Sequence, residues 1–487
     1  MNVRHLVHVV SLILLAVAIA LTITAGIAAL YGDGDTLVFV LSAVTVAAVG
    51  GVGYATTDLG RDLSIREGYA VVSFAWVAIG AAGALPYLFA GVVETPVAAL
   101  FESISGFTTT GATVFGDIEA LPHGILFWRS FTQWIGGMGI IVLGIAILPY
   151  LGVGGMQLFR AEVPGPTPER LQPRIAQTAK LLWYVYAVMT AVEVVLYLLG
   201  GMPLFEAVTH AFSTLSTGGF SPRADSLAAY DSAYIHYVTI LFMFLAGVNF
   251  SLHYRALARR RAIYLDDPEF RFFVTVLIGA TGAVAVLALA SGVYGGTGIE
   301  RVLRDALFQV TSIATTTGFV TFDYELWPLA AQLILVLLMF MGAMAGSTAG
   351  GAKAIRINIV LRHAMAQLRK SVHPRAVVIT RVGRTAIRED VLLNVLAFLL
   401  FFFLLFTVGV LAMALLGHDL ATSLGASAAS IGNIGPGLGG VGAVDHYGWM
   451  SPGSHLVLMF LMLVGRLEIF TILLLFHPDL WRDARWR

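Results

Sequence analysis

Cysteine is absent from the 487 residues. That excludes disulfides, thiolate nucleophiles and cysteine-ligated metal centres, and leaves the redox compartment unreadable. Charge is scarce too: 12% of residues are Asp, Glu, Lys or Arg, roughly half of what a soluble domain carries. The 29 basic and 29 acidic residues cancel, so net charge points to no partner. No basic domain or zinc-ligand spacing is present to hold nucleic acid. The twelve histidines form no His-Glu-x-x-His pattern, and no Ser/His or paired-Asp constellation sits at membrane depth, which argues against an intramembrane enzyme. No Gly-x-Gly-x-x-Gly turn lies in a soluble strand–helix unit, so the chain is expected to bind no nucleotide or other cofactor itself.

Apolar sequence is what the chain has in plenty, 58% of it. Ten segments are long enough to cross a bilayer, at about 9–30, 36–57, 69–92, 130–150, 181–200, 233–252, 272–294, 326–346, 391–416 and 455–476. The first superficially resembles a secretion signal, but it is too long for a typical signal core and a second span follows at once. Four shorter stretches, near 96–107, 204–214, 300–314 and 419–431, cannot span. Each runs into a Gly-, Thr- or Pro-rich turn, the pattern of a half-helix and re-entrant loop, which survives at membrane depth only inside protein or beside water. The fold expected is an all-α polytopic membrane protein with ten transmembrane helices.

Lys and Arg placement orients it. Twenty-four of the 29 fall in segments on one side, including Arg4, Arg61, Arg66, Arg160, Arg170, Arg255, nine residues across 353–388, and Arg482, Arg485 and Arg487. The other side has Arg129, Arg223, Arg301 and Arg304, and Arg466 lies mid-span. Both termini are therefore expected in the cytoplasm, with all four re-entrant loops entering from outside.

After two N-terminal helices (1–66), the order helix, half-helix, glycine loop, helix recurs four times, over 67–165, 166–262, 263–388 and 389–487. The loops are Thr109-Thr110-Gly111, Ser216-Thr217-Gly218, Thr316-Thr317-Gly318 and Asn433-Ile434-Gly435. Units of one orientation can surround an axis along the membrane normal, with their loops converging on it. Rings of backbone carbonyls replace the water around a potassium ion without fixed charge, so the ion enters and still leaves. Glycine reaches φ > 0 without steric cost, which places Gly111, Gly218, Gly318 and Gly435 at the turns. Half-helices ending there would aim their partially negative carbonyl ends at a cation. Glu102 and Glu206 sit in two half-helices; pairing of Glu102 with a cation such as Arg129 is at least as good a reading as an ion site.

Two further features bear on the path. Gly346, Ser347, Thr348, Gly350, Gly351 and Lys353 interrupt the eighth span, and a broken helix there is placed to put a mobile loop below the third filter loop. Arg466 is a cation at membrane depth, which usually faces the interior or water. Glu468 is too close in sequence to share its helical face fully. For Glu193, in the fifth span, a structural role is favoured.

At this point the residues resemble a known family, the TrkH/TrkG potassium-uptake subunits of the Trk/Ktr/HKT superfamily. The resemblance rests on Arg129-Ser130-Phe131-Thr132-Gln133-Trp134-Ile135-Gly136-Gly137-Met138-Gly139 and its continuation through Leu148-Pro149 to Leu158. It rests equally on Ala246-Gly247-Val248-Asn249-Phe250-Ser251, on the stretch from Gly346 to Lys353, on Asn433-Ile434-Gly435-Pro436-Gly437, and on Gly465-Arg466-Leu467-Glu468. It implies a homodimer with one pore per protomer in the inner membrane, potassium as substrate, and a cytosolic ring of TrkA-type subunits that bind nucleotide. It also implies filter glycines at 111, 218, 318 and 435, a gating loop over 346–353 and a pore arginine at Arg466. Within the same fold the competing mechanism is proton- or sodium-coupled symport, for which the neutral filter offers no titratable group. The basic stretches 255–261 and 353–388 are candidate docking surfaces, or equally contacts for anionic lipid.

Overall fold

The computed structural model describes residues 3–58, 65–146, 172–259 and 263–481. The stretch 148–158, the arginines at 61, 160, 170, 260, 261, 482, 485 and 487, the expected boundary at 165/166 and residue 262 of the next all lie outside the described residues.

Helices Val3–Tyr31 and Thr36–Thr56 pack side by side. Gly50 and Gly53 face Ser11, and a Cβ on Gly53 would run into Ser11 Oγ. Small residues of this kind let helix backbones close on each other in lipid. The first helix also lies against Ile65–Phe89 and His123–Ala146. In the turn after it, Asp33 Oδ2 accepts from the His123 backbone N–H (2.8 Å) and ring (2.7 Å).

Beyond this pair stand four long outer helices: Ile65–Phe89, Gln172–Leu199, Pro268–Ser291 and Glu389–Leu415. Each is followed by a half-helix: Pro96–Phe107, Leu204–Leu215, Ile299–Ala314 and Leu420–Gly432. At about 1.5 Å per residue these are too short for a roughly 30 Å hydrocarbon core. Thr95 and Asp419 cap the first and last by accepting from backbone N–H groups of the first turn. The inner helices are His123–Ala146, Ala233–Gly247, Leu329–Met341 and Pro452–Arg466. On Glu389–Leu415, Leu400, Leu404, Val408 and Leu411 are all more than half exposed, a face suited to lipid rather than water.

Among the described residues six helices are long and apolar enough to cross a membrane, or eight if each sharply bent pair is one span. Ten were expected. Of the other two, one is the 130–150 segment, helical through Ala146 with its remaining residues outside the described ones, and the other is the 326–346 segment, of which Leu329–Met341 is helical. The spans expected over 233–252 and 455–476 are not straight; they bend by 100° and 110°. At the first bend Phe250 N–H donates to the Gly346 carbonyl (3.0 Å), and Asn249 Oδ1 accepts from Ser251 N–H (2.8 Å) to start a new helix. At the second, Glu468 and Ile469 are both left-handed, with φ of 57° and 56°, a conformation through which no right-handed helix continues.

Candidate functional site

The four loops after the half-helices share one backbone pattern. Thr110, Gly218, Thr317 and Ile434 each donate N–H to the carbonyl five residues back, at 2.8–2.9 Å. The residue before each is left-handed: Thr109, Thr217, Thr316 and Asn433, with φ of 53–58°. The residue after each is a glycine with φ of 79–95°: Gly111, Gly219, Gly318 and Gly435. The second loop therefore sits one residue later than the sequence suggested. Gly219, not Gly218, takes the left-handed turn, and Gly218 corresponds to Thr110; Ser216 corresponds to Thr108, its hydroxyl bonded back to the Phe212 carbonyl (2.7 Å).

The loops also meet in chain order. A Cβ on Gly111 would strike the Gly218 carbonyl oxygen, one on Gly219 the Thr317 oxygen, and one on Gly318 the Ile434 oxygen. One on Gly435 would lie 2.8 Å from the Thr110 oxygen, closing the circuit. Each glycine thus abuts the same carbonyl of the next loop. The ring is made of backbone and hydroxyl groups, and among the described residues no cluster of His, Asp or Glu could hold a metal ion. Side chains brace it from behind. Thr108 and Thr110 hydroxyls bond each other (2.8 Å), as do those of Thr315 and Thr317 (2.8 Å). Asn433 Nδ2 donates to Thr110 Oγ1 (3.0 Å) and the Met462 carbonyl (2.9 Å).

The segment 342–353 lies against this ring. Its Gly350 N–H donates to Thr316 Oγ1 (2.7 Å), and Thr348 Oγ1 donates to the Leu215 carbonyl (2.9 Å) at the end of the second half-helix. A Cβ on Gly350 would come within 2.9 Å of Asn433 Cβ, and one on Gly346 within 2.9 Å of Asn249 Nδ2. Ser347 Oγ turns back to the Met344 carbonyl (2.6 Å), and Lys353 Nζ to that of Ala349. Gly346, Gly351 and Lys353 all have positive φ. Arg466 is buried and forms no ion pair among the described residues: Nη1 donates to the Thr348 carbonyl (2.7 Å) and Nη2 to that of Gly136 (3.3 Å). Glu468 pairs instead with Arg356, whose guanidinium lies 3.9 Å from the centre of the Phe398 ring. Glu193 is buried and makes no ion pair among the described residues.

The sequence model of the TrkH family, described as a cation transport protein, matches residues 36–487. The chain belongs to the TrkH family. TrkH-family proteins are membrane transporters, not enzymes. The chain is 40% identical to the Trk system potassium uptake protein TrkH of Vibrio parahaemolyticus, over 99% of this chain and 100% of that one. It is 33% identical to the Trk system potassium uptake protein TrkG of Escherichia coli, over 99% of both. The crystal structure of the potassium transporter TrkH from Vibrio parahaemolyticus matches with a TM-score of 0.91 at 38% identity, covering 99% of this chain and 100% of that one.

Within this TrkH-family frame, two residues of the first inner helix reach the second loop. Gln133 Nε2 donates to the Gly218 carbonyl (2.7 Å), while its Oε1 accepts from Phe220 N–H (3.1 Å). Sequence reading passed over it, since a glutamine inside a motif does not announce its partner. Arg129 Nε meets Glu102 Oε1 at 2.8 Å, the pairing read from sequence, with both side chains buried. Its Nη1 also donates to the Ser221 carbonyl (3.1 Å), and Phe220 stacks 4.2 Å from the guanidinium. Removing one member of a buried pair strands the other, at a cost of about 3–5 kcal/mol. Glu102→Ala is accordingly expected to lower the melting temperature in detergent sharply, measured by size exclusion after heating; an unchanged midpoint contradicts the structural role.

Proposed function

We propose that this chain takes potassium into the cell through the ring of four loops. What carries the reading is the common register: four carbonyls in equivalent positions, each against the next loop's glycine, in a membrane protein whose relatives are named for potassium uptake. Neutral oxygens replace hydration water at little net cost, and the carbonyl ends of four half-helices favour a cation over an anion.

In this reading ten helices cross the inner membrane, two N-terminal and two in each of four repeats around one pore, with both termini cytoplasmic. The segment 342–353 and Arg466 form the gate beneath the filter. Two chains associate, each with its own pore, and a cytosolic nucleotide-binding subunit acts on the gate; the basic stretch 353–388 is the surface it would meet.

The test is rubidium-86 and potassium uptake against sodium in proteoliposomes, for wild type and Gly111→Ser. Wild type is expected to show rapid potassium-selective flux, and the variant to lose the selectivity. Absence of cation flux in wild type, even with the nucleotide-binding partner added, overturns the reading.

A further inference from the structure

The loop beneath the ring is closed at its neck by backbone. Gly342 and Gly351, with φ of 66° and 69°, pass with their chains in contact. Ala352 N–H donates to the Phe340 carbonyl (3.2 Å) and Ala354 N–H to that of Ala343 (2.9 Å). At this neck a side chain from another helix reaches in, beside the bonds that Thr316 and Arg466 make to the loop farther along. Glu269, in the first turn of the outer helix Pro268–Ser291, accepts on a single oxygen, Oε1, from Ala345 N–H (2.8 Å) and from Ile355 N–H (3.1 Å). Ala345 belongs to the loop; Ile355 belongs to the first turn of the helix Ala354–Val372 that follows it.

That helix needs such an acceptor. Lys353 stands at its N-cap and makes no side-chain cap bond, so Ile355 N–H is one of the donors a helix start leaves unpaired. Glu269 is itself held in place: Asp267 caps its helix, accepting from Glu269 and Phe270 N–H groups at 2.9 Å each. The carboxylate is buried. Farther along Ala354–Val372, Leu361, Met365, Leu368 and Val372 are all more than half exposed. A helix of 19 residues makes a lever of roughly 28 Å, tied to the loop at its start and bonded through His363 to Thr380 (3.1 Å) farther along. Its first turns are also held by Arg356, through Glu468 and Phe398.

We propose that Glu269 is the positioning residue that latches the loop to this helix, so that displacing the helix releases the loop from beneath the ring. The inference rests on the ring being the potassium path. A carboxylate one methylene shorter cannot reach both N–H groups, whereas an amide of equal length keeps an acceptor in the same place. Glu269→Asp is therefore expected to raise partner-free rubidium-86 flux in proteoliposomes about tenfold, as leaving one buried N–H unsatisfied implies. Glu269→Gln should stay within about threefold of wild type.

A second readout uses the cysteine-free chain: Ser347→Cys, added to each background, reports loop exposure through its rate of reaction with a water-soluble maleimide. The Asp variant should react faster and the Gln variant at the rate of the Glu269 parent. Wild-type flux and labelling in the Asp variant overturn the latch, as does a Gln variant as leaky as the Asp variant. Selective flux in wild type alongside either result leaves the ring reading standing, whereas no selective wild-type flux fells the ring first.

Discussion

Gly219→Ala is expected to abolish potassium-selective flux, with uptake falling at least about 100-fold, while Gly218→Ala keeps a measurable fraction. Two costs fall on position 219 together. The backbone is left-handed there, with φ of 79°, which costs a residue with a Cβ about 1–2 kcal/mol. The new methyl also strikes the Thr317 carbonyl oxygen of the next loop. That oxygen cannot retreat cheaply, because the Thr317 N–H is fixed to the Ser312 carbonyl (2.8 Å) and its hydroxyl to Thr315. At Gly218 the backbone is not left-handed, and the methyl meets the Gln133 amide, a side chain able to turn at the loss of its two bonds. Uptake of rubidium-86 by proteoliposomes carrying each variant measures the contrast. Equal loss in both, or greater loss at 218, contradicts the register seen in the structure.

That contrast also marks how much of the site was legible. The half-helices were readable from their length and the turn that follows each, and the third and fourth loops from a lone glycine after Thr-Thr or Asn-Ile. The second loop holds two glycines in succession, and composition cannot tell which one turns; the bond from Gly218 N–H to the Ser213 carbonyl decides it. Hydropathy found the apolar segments at 233–252 and 455–476 but not their bends. An apolar count does not register that Phe250 N–H leaves its own helix for Gly346, or that Glu468 and Ile469 turn left-handed. The Glu102–Arg129 pair was inferable because two charges at membrane depth must find partners. Glu269 was hidden for the opposite reason. In Asp267-Pro268-Glu269 it looks like an ordinary acid in a helix's first turn, and the N–H groups that donate to it lie 76 and 86 residues away.

Arg466→Ala is expected to raise partner-free flux by about tenfold to a hundredfold. A guanidinium at membrane depth without a carboxylate is costly, and among the described residues Arg466 bonds to carbonyls, those of Thr348 and Gly136. Those two oxygens belong to the loop beneath the ring and to the first inner helix, so the side chain spans the space between them. Hydrogen bonds to a charged group contribute about 1.5–3 kcal/mol each, and the bond to Thr348 is the shorter at 2.7 Å. Losing it frees the loop, and losing the charge removes a repulsion from the path. Arg466→Lys separates the two effects, since an ammonium keeps the charge but not the planar fork that reaches both carbonyls. If geometry holds the loop, Lys leaks like Ala; if charge is the barrier, Lys stays closed. Flux and open fraction unchanged in Arg466→Ala, with and without the nucleotide-binding partner, would remove Arg466 from the gate altogether and leave the loop held by its other bonds, those of Thr316, Thr348 and Glu269 among them.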